Sequence, residues 1–250
     1  MLEVRNLCDI AGKVRDVSFA LYAGEVLGLT GLVGAGRSEL LQSVFGAHRV
    51  QSGQIFVNGK EVKIRNTRDA IRLGMGMIPE GRKIQGTFLK MSVADNMIMV
   101  YLKNLRNALK LIDKGRSKKV AGEYVGKLAI KTPSLNQIVN HLSGGNQQKT
   151  IVARWLMNDP KILFMDEPTH GIDVGAKSEI YHIIDDLSKM GVAVILLSSE
   201  LPEVLSMCDR IMVMHHGALK GILRHDEANQ MKVMSYMLKS TGEEAAEETA

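Results

Sequence analysis

Hydrophobic and polar positions alternate with a period of two over residues 2–6 and 17–21, which predicts two strands with one buried face each. The run Glu25-Val26-Leu27-Gly28-Leu29-Thr30 is apolar nearly throughout and reads as a strand covered on both sides. Leu40, Leu41 and Val44 then recur at helical spacing. Gln54–Val57 and Glu61–Ile64 flank Asn58-Gly59, the dipeptide that favours a tight hairpin turn. Residues 67–73 predict a helix, and Gly76–Glu80 the end of another strand. From about 84 to 158 the strand signals fade; Val120, Tyr124 and Leu128 mark one amphipathic helical face, whose simplest use is core packing. Ile162–Asp166 and Val192–Leu197 read as buried strands. Between them Ile180, Ile183, Ile184 and Leu187 stand at i, i+3, i+4 and i+7 of a helix. Arg210–His215 and Ala218–Leu223 predict strands around a Gly217 turn, and Asp226–Leu238 a terminal helix. Strands alternating with helices predict an α/β fold, here with a helical block inserted between two sheet segments.

At 250 residues the chain is long enough for one large domain, or a core plus a subdomain. With 45% hydrophobic and 24% charged residues its composition is that of an ordinary globular protein. No apolar run is long enough to span a bilayer, and no charged leader with an apolar core opens the chain. Cys8 and Cys208 fit no metal spacing or disulfide framework, which favours a reducing compartment. The net charge of +5 includes four glutamates of the small acidic tail (243, 244, 247 and 248), so without them the chain carries +9. That surplus suits phosphate-bearing ligands, an anionic membrane surface or simply a solvated surface. Residues 240–250 read as a disordered acidic tail. Only 4% of residues are aromatic and no basic run interleaves with them, which argues against a nucleic-acid partner.

The chemistry concentrates in three places. Gly31-Leu32-Val33-Gly34-Ala35-Gly36-Arg37-Ser38 lies between a strand and a helix, the context of a phosphate-binding P-loop. Its glycines permit close backbone approach, and Ser38 is placed to ligate Mg²⁺. Arg37 stands where that motif wants lysine, keeping the charge on a broader planar group. Leu142-Ser143-Gly144-Gly145-Asn146-Gln147-Gln148-Lys149 opens a helix, so its backbone N–H groups and the Ser143 hydroxyl are available to an anion. Asp166-Glu167 ends an apolar strand, where open α/β sheets place their ligands. Adjacent His215 and His216 offer a weaker metal alternative, and Met91, Met97 and Met99 an adaptable docking surface or core filling.

In this order the motifs resemble the ATP-binding cassette (ABC) ATPases over roughly residues 2–238. Gly-Ala-Gly-Arg-Ser, Leu-Ser-Gly-Gly-Asn-Gln-Gln-Lys and Gly171-Ile-Asp-Val-Gly-Ala-Lys177 resemble the second cassette of bacterial monosaccharide importers. The resemblance implies a P-loop NTPase (RecA-like) core with an antiparallel β subdomain and a helical subdomain at roughly 84–158, all within a domain of residues 1–239. It implies ATP and Mg²⁺ as ligands. Gly31, Gly34, Ala35, Gly36, Arg37, Ser38 and Glu39 would cradle the phosphates. Ser38 and Asp166 would hold Mg²⁺, with Glu80 beside it, and Glu167 would polarise the attacking water. Ser143, Gly144 and Gly145 would cover the γ-phosphate of ATP on an opposing cassette, and Asp173 would line the interface between the two. The partners implied are that second cassette, expected to precede this one in a tandem protein, a membrane permease and, indirectly, a sugar-binding protein. The expected location is the cytoplasmic face of the cell membrane.

Several spellings depart from that family. His170 and Gly81 stand where arginine and aspartate are usual. Arg37, Glu80 and Ser199 stand in place of lysine, glutamine and the switch histidine, and no aromatic residue between Val4 and Val17 is available to stack on adenine. These changes gather around one P-loop and imply unequal composite sites, with this chain contributing chiefly through its signature loop. An alternative is a regulatory nucleotide-binding module with little hydrolysis of its own. A soluble ABC protein acting on DNA or ribosomes would need a coiled coil or basic linker that this sequence lacks.

Overall fold

The computed structural model describes residues 1–238; the expected acidic tail lies outside the described residues. Two sheets form. The first is antiparallel, with order β2-β1-β4-β5, built from β1 (Leu2–Asp9), β2 (Val17–Leu21), β4 (Val50–Val57) and β5 (Lys60–Val62). The second has six strands in order β10-β9-β3-β8-β7-β6. It contains β3 (Val26–Gly31), β6 (Met75–Ile78), β7 (Ile162–Asp166), β8 (Ala193–Leu197), β9 (Arg210–His215) and β10 (Ala218–Arg224). Its pairs are parallel except for β10, which runs antiparallel to β9 at one edge.

The apolar runs are continuous because both faces of this sheet are covered. Along β7, Ile162 and Phe164 point to one core while Leu163 and Met165 point to the other. The first core lies between the two sheets and takes in α1 (Arg37–Val44) and α2 (Thr67–Arg72). Phe45 meets Phe164 and Trp155 there, edge to face at 6.3 and 5.7 Å. The second core packs α5 (Gly144–Leu156), α6 (Val174–Lys189), α7 (Leu201–Met207) and α8 (Gln230–Leu238) on the other face. A third, smaller cluster joins α3 (Val93–Ile98), α4 (Lys114–Lys127) and α5.

Helix α5 serves two cores. Ile151 and Val152 face the sheet while Ala153 and Met157 face α3 and α4. The stretch 84–158 is less helical than its weak strand pattern suggests. Its helices are separated by turns, one of them made by Asn107, whose side chain accepts from the amides of Leu109 and Leu111 at 3.0 Å each. Residues 82–86 form a single π-helical turn. Helix α7 is not evident from periodicity. It is only seven residues long, and Pro202 is tolerated in its first turn, where no backbone donor is lost. The last predicted helix is shorter than its sequence pattern, with a 3-10 turn over His225–Glu227 before α8.

Candidate functional site

Strand β3 delivers the glycine-rich loop to the start of α1. Gly36 is the N-cap of α1, with φ 89°, and a Cβ there would collide with the Lys13 carbonyl, so only glycine fits. The loop is braced from behind: the Gly217 amide donates to the Ala35 carbonyl (3.0 Å), and the Arg15 amide to the Gly217 carbonyl (2.7 Å). Nothing lies within 4 Å of where a Gly34 side chain would stand, so the loop's outer face is open. Ala35 is buried; Arg37, Ser38 and Glu39 are half-buried in the first turn of α1. This is a backbone cradle at a helix N-terminus, with a guanidinium beside it.

Asp166 ends β7 and is 1% exposed. Burial pushes its carboxyl up to about 6; Glu80 and Glu167 push the same way, while the Ser38 hydroxyl and Arg37 oppose them. Its Oδ1 is buried without a hydrogen-bond partner among the described residues, as is Nη1 of Arg37. A buried carboxylate oxygen left unmet beside a hydroxyl and a guanidinium is a donor set that fits a hydrated divalent cation and a phosphate. The residues present therefore fit Mg²⁺-nucleotide.

Glu167 follows with φ 48°, a left-handed conformation that is costly for a non-glycine residue. Its amide donates to the Leu197 carbonyl at 3.0 Å, tying it to the end of β8. Burial raises its carboxyl too; the Ser199 hydroxyl and backbone, and Arg37, favour the charged form. The structure thus gathers Arg37, Ser38, Glu80, Asp166, Glu167 and Ser199 around one loop.

A second group sits apart. Ser143, Gly145 and Asp173 line a cavity of about 270 Å³ between the starts of α5 and α6. Ser143 is exposed at the N-cap of α5, yet caps nothing: its Oγ accepts from Asn146 Nδ2 at 2.8 Å, leaving its proton free. Asp173 has a structural task that the motif does not reveal, capping α6 by accepting from the Ala176 amide at 3.0 Å. Gly145 likewise serves packing, since a Cβ there would stand 2.5 Å from that of Ala176. Lys149, 2% exposed, ties the same helices together through Glu179 (2.8 Å) and the Ala129 carbonyl (2.7 Å).

The residue that motif reading missed is Glu203. It is 5% exposed in α7, and its carboxylate accepts from Thr169 (2.7 and 2.9 Å) and Ser198 (2.7 Å), from Tyr181, and from Lys177 (3.3 Å). Burial raises its carboxyl, but those donors outweigh it and hold Glu203 below the usual range. It joins the turn after Glu167, the end of β8 and α6. The only signal in the sequence is a glutamate in a mostly apolar segment, within a helix too short to detect. His170 is exposed, and His215 and His216 meet edge to face with ring centroids 4.1 Å apart. Among the described residues no cluster of three or more potential metal ligands forms. Cys8 and Cys208 are both free.

Comparison with known proteins follows this geometry. A sequence model of the ABC transporter family matches residues 14–170. The ribose import ATP-binding protein RbsA of Clostridium tetani is 47% identical over 94% of this chain and 46% of its own length. A putative ribose/galactose/methyl galactoside import ATP-binding protein of Geobacillus kaustophilus is 51% identical over 89% of this chain and 44% of its own length. The chain therefore spans about half the length of the curated relatives it matches. Among solved structures, a nucleotide-free ATP-binding cassette from an ABC transporter superposes with TM-score 0.82 at 19% identity, covering 96% of this chain and 99% of that one. The ADP conformation of MJ1267, an ATP-binding cassette of an ABC transporter, gives 0.80 at 20% identity with the same coverage. The two cassettes share the fold, a P-loop NTPase core with an antiparallel sheet beside it. With the family pattern spanning more than half of its residues, from before the glycine-rich loop to past Asp166-Glu167, the chain belongs to the ABC transporter family.

Proposed function

We propose that this chain is an ATP-binding and ATP-hydrolysing cassette that energises import of a monosaccharide through a membrane permease, from the cytoplasmic face of the membrane. The observation that carries it is the pair of unmet buried groups, Asp166 Oδ1 and Arg37 Nη1, beside an open glycine-rich loop. The names of the relatives support the sugar and import parts of the reading.

Gly31, Gly34, Ala35, Gly36, Arg37, Ser38 and Glu39 receive the phosphates, through backbone N–H groups at the start of α1 and the Arg37 charge. Ser38 and Asp166 are the residues to hold Mg²⁺, with Glu80 alongside; the ion neutralises charge on the transferred phosphate. Glu167 orients the attacking water and accepts its proton, releasing phosphate from ATP. Its raised carboxyl and strained backbone suit a base held by its surroundings.

Three features weaken this pocket. Arg37 takes the place of a compact ammonium, Glu80 adds negative charge near Asp166, and Ser199 offers Glu167 a hydroxyl rather than an imidazole. The signature loop has no such change, and Ser143 is exposed with a free hydroxyl proton. We infer two unequal composite sites, this chain's Ser143, Gly144, Gly145 and Asp173 completing the site on a partner cassette. Val33 and Val174, 97% and 84% exposed beside the two loops, suit coverage by that partner. The same weakened pocket favours the second reading, a nucleotide-binding regulatory module with slow hydrolysis.

Steady-state hydrolysis by the assembled transporter tests the assignment. Ser143→Arg is expected to remove most turnover, because an exposed loop that must close on phosphate cannot admit the larger side chain. Glu167→Gln is expected to be milder than the equivalent change in the partner cassette. Loss of turnover in Glu167→Gln with retention in Ser143→Arg would reverse the proposed asymmetry.

The permease is expected to dock on residues 80–101. Ile84 (90% exposed), Phe88 (50%) and Met91 (36%) stand there, beside an apolar cleft of about 550 Å³ lined by Met91, Ile98 and Met99. A cysteine at Lys90, which is exposed, should crosslink to the permease. Thr87 would be the other sequence choice for such a cysteine, but it is buried with its hydroxyl donating to the Arg82 carbonyl (2.9 Å), and is unsuitable. Crosslinks confined to the C-terminal tail would overturn this docking site.

A further inference from the structure

The signature loop needs something to hold it, and its own residues supply little: Ser143 caps nothing and Gly144 has no side chain. Across from it, in the π-helical turn after β6, stands Arg82. Its guanidinium lies directly over Gly144, so close that a Cβ on Gly144 would come within 3.2 Å of both terminal nitrogens. Its Nη2 also reaches the Gly171 carbonyl, in the turn after Glu167, through a long hydrogen bond of 3.4 Å. Nε and Nη1 are out of water and have no hydrogen-bond partner among the described residues.

Such a contact is a poor way to stabilise a fold. Desolvating a guanidinium and leaving two donors unmet is unfavourable, and one long hydrogen bond does not offset it. What it does provide is geometry. A planar fork held against a residue with no side chain while reaching a carbonyl beyond it sets the distance between two loops, and lysine has no such fork. Arg82 is also the first residue of the turn that follows Glu80, whose charge is felt by Asp166.

We propose that Arg82 is a positioning residue for the signature loop: its guanidinium, clamped on Gly144 and reaching Gly171, locks the segment after β6, the start of α5 and the turn after Glu167 into one block. Displacement of the segment after β6 is thereby passed to the face that meets the partner cassette's nucleotide. Glycine at 144 leaves room for this contact, since a Cβ there would press on the guanidinium at 3.2 Å. This inference rests on the composite-site reading proposed above.

The test uses the assembled transporter, with ATP turnover at varied ATP and thermal unfolding measured for each variant. Arg82→Ala is expected to lower kcat roughly 10²-fold, the scale of a misplaced site, with KM for ATP and the unfolding midpoint little changed. Arg82→Lys, which keeps charge without the plane, should fall nearly as far. Gly144→Ala breaks the same contact from the other side, so the double variant with Arg82→Ala should be no worse than Gly144→Ala alone. Ser143→Arg serves as the reference. If Ser143→Arg is inactive while Arg82→Ala keeps most of its turnover, the inference fails and the composite-site reading stands. If Ser143→Arg is itself active, that reading fails. Full activity of Arg82→Lys, a rise in KM at unchanged kcat, or multiplying effects in the double variant would each overturn the positioning role.

Discussion

Two buried carboxylates, Asp166 and Glu203, have opposite relations to pH. Asp166 is raised to about 6 by burial, with few groups favouring its charge. The folded state then holds its proton more tightly than the unfolded chain. The stability it contributes is present below about pH 4 and lost as pH rises through 6. Asp166→Asn should therefore stabilise the nucleotide-free protein at pH 7.5, by on the order of 2–3 kcal/mol, and the gain should fade as pH falls toward 4. Denaturant titrations across that range check it, and a gain constant with pH would show that ionisation is not the cause. Glu203 is lowered instead, so its contribution is present above the ordinary carboxylate range and lost as pH falls below it. Glu203→Ala leaves Thr169, Ser198 and Tyr181 without their acceptor, Lys177 keeping only Glu200, and should cost roughly 3–5 kcal/mol at neutral pH. That penalty should shrink in acid, and one growing in acid would contradict the assignment. The carboxylate proposed for Mg²⁺ is kept at a loss in stability, whereas Glu203 contributes to it.

At the scale of elements, the signature helix α5 is coupled to its surroundings by buried polar contacts rather than by apolar packing alone. Arg154, 6% exposed and lowered by burial to about 10, donates to the Asn96 carbonyl (2.7 Å) and to Asn96 Oδ1 (3.1 Å). The Asn96 side chain in turn pairs with the backbone of Phe88, accepting from its amide (2.8 Å) and donating to its carbonyl (3.1 Å). One asparagine on α3 therefore links the expected permease-facing segment to α5. Asn96→Ala leaves Nη2 of Arg154 and the Phe88 amide without their acceptor, Nε of Arg154 keeping the residue 96 carbonyl, and should cost about 2–3 kcal/mol. In the assembled transporter it should also uncouple sugar-stimulated from basal hydrolysis. An unchanged ratio of stimulated to basal rate, with lowered stability, would make Asn96 merely structural.

For the whole molecule, the two residue groups do not share a cavity: the P-loop group surrounds Asp166, and the signature group opens on its own surface. On the composite-site reading proposed above, a single copy presents two halves of different sites. The isolated chain is expected to bind Mg-ATP weakly and stay monomeric, since the Arg37 pocket lacks an aromatic platform for adenine and the signature face lacks its partner. Calorimetric titration and light scattering check both, and submicromolar affinity would count against the weakened pocket. No helix among the described residues is long and apolar enough to cross a membrane.

Periodicity and motif spacing by themselves determined the doubly covered sheet, the glycine-rich loop before α1 and the carboxylate pair ending β7, because these are local: each needs only a strand, a turn and a helix in succession. The same locality explains what stayed hidden. Helix α7 is too short to show a period, and Glu203 acquires meaning only when folding brings Thr169, Ser198 and Lys177 around it. Sequence assigned Gly144 and Gly145 to phosphate, but only the packing of α5 shows that Ala176 already requires glycine at 145 and that Arg82 crowds position 144. Asp173 reads as an interface residue and proves to be a helix cap as well. Local chemistry is written in order along the chain, whereas burial and long-range partners exist only after the chain has closed on itself.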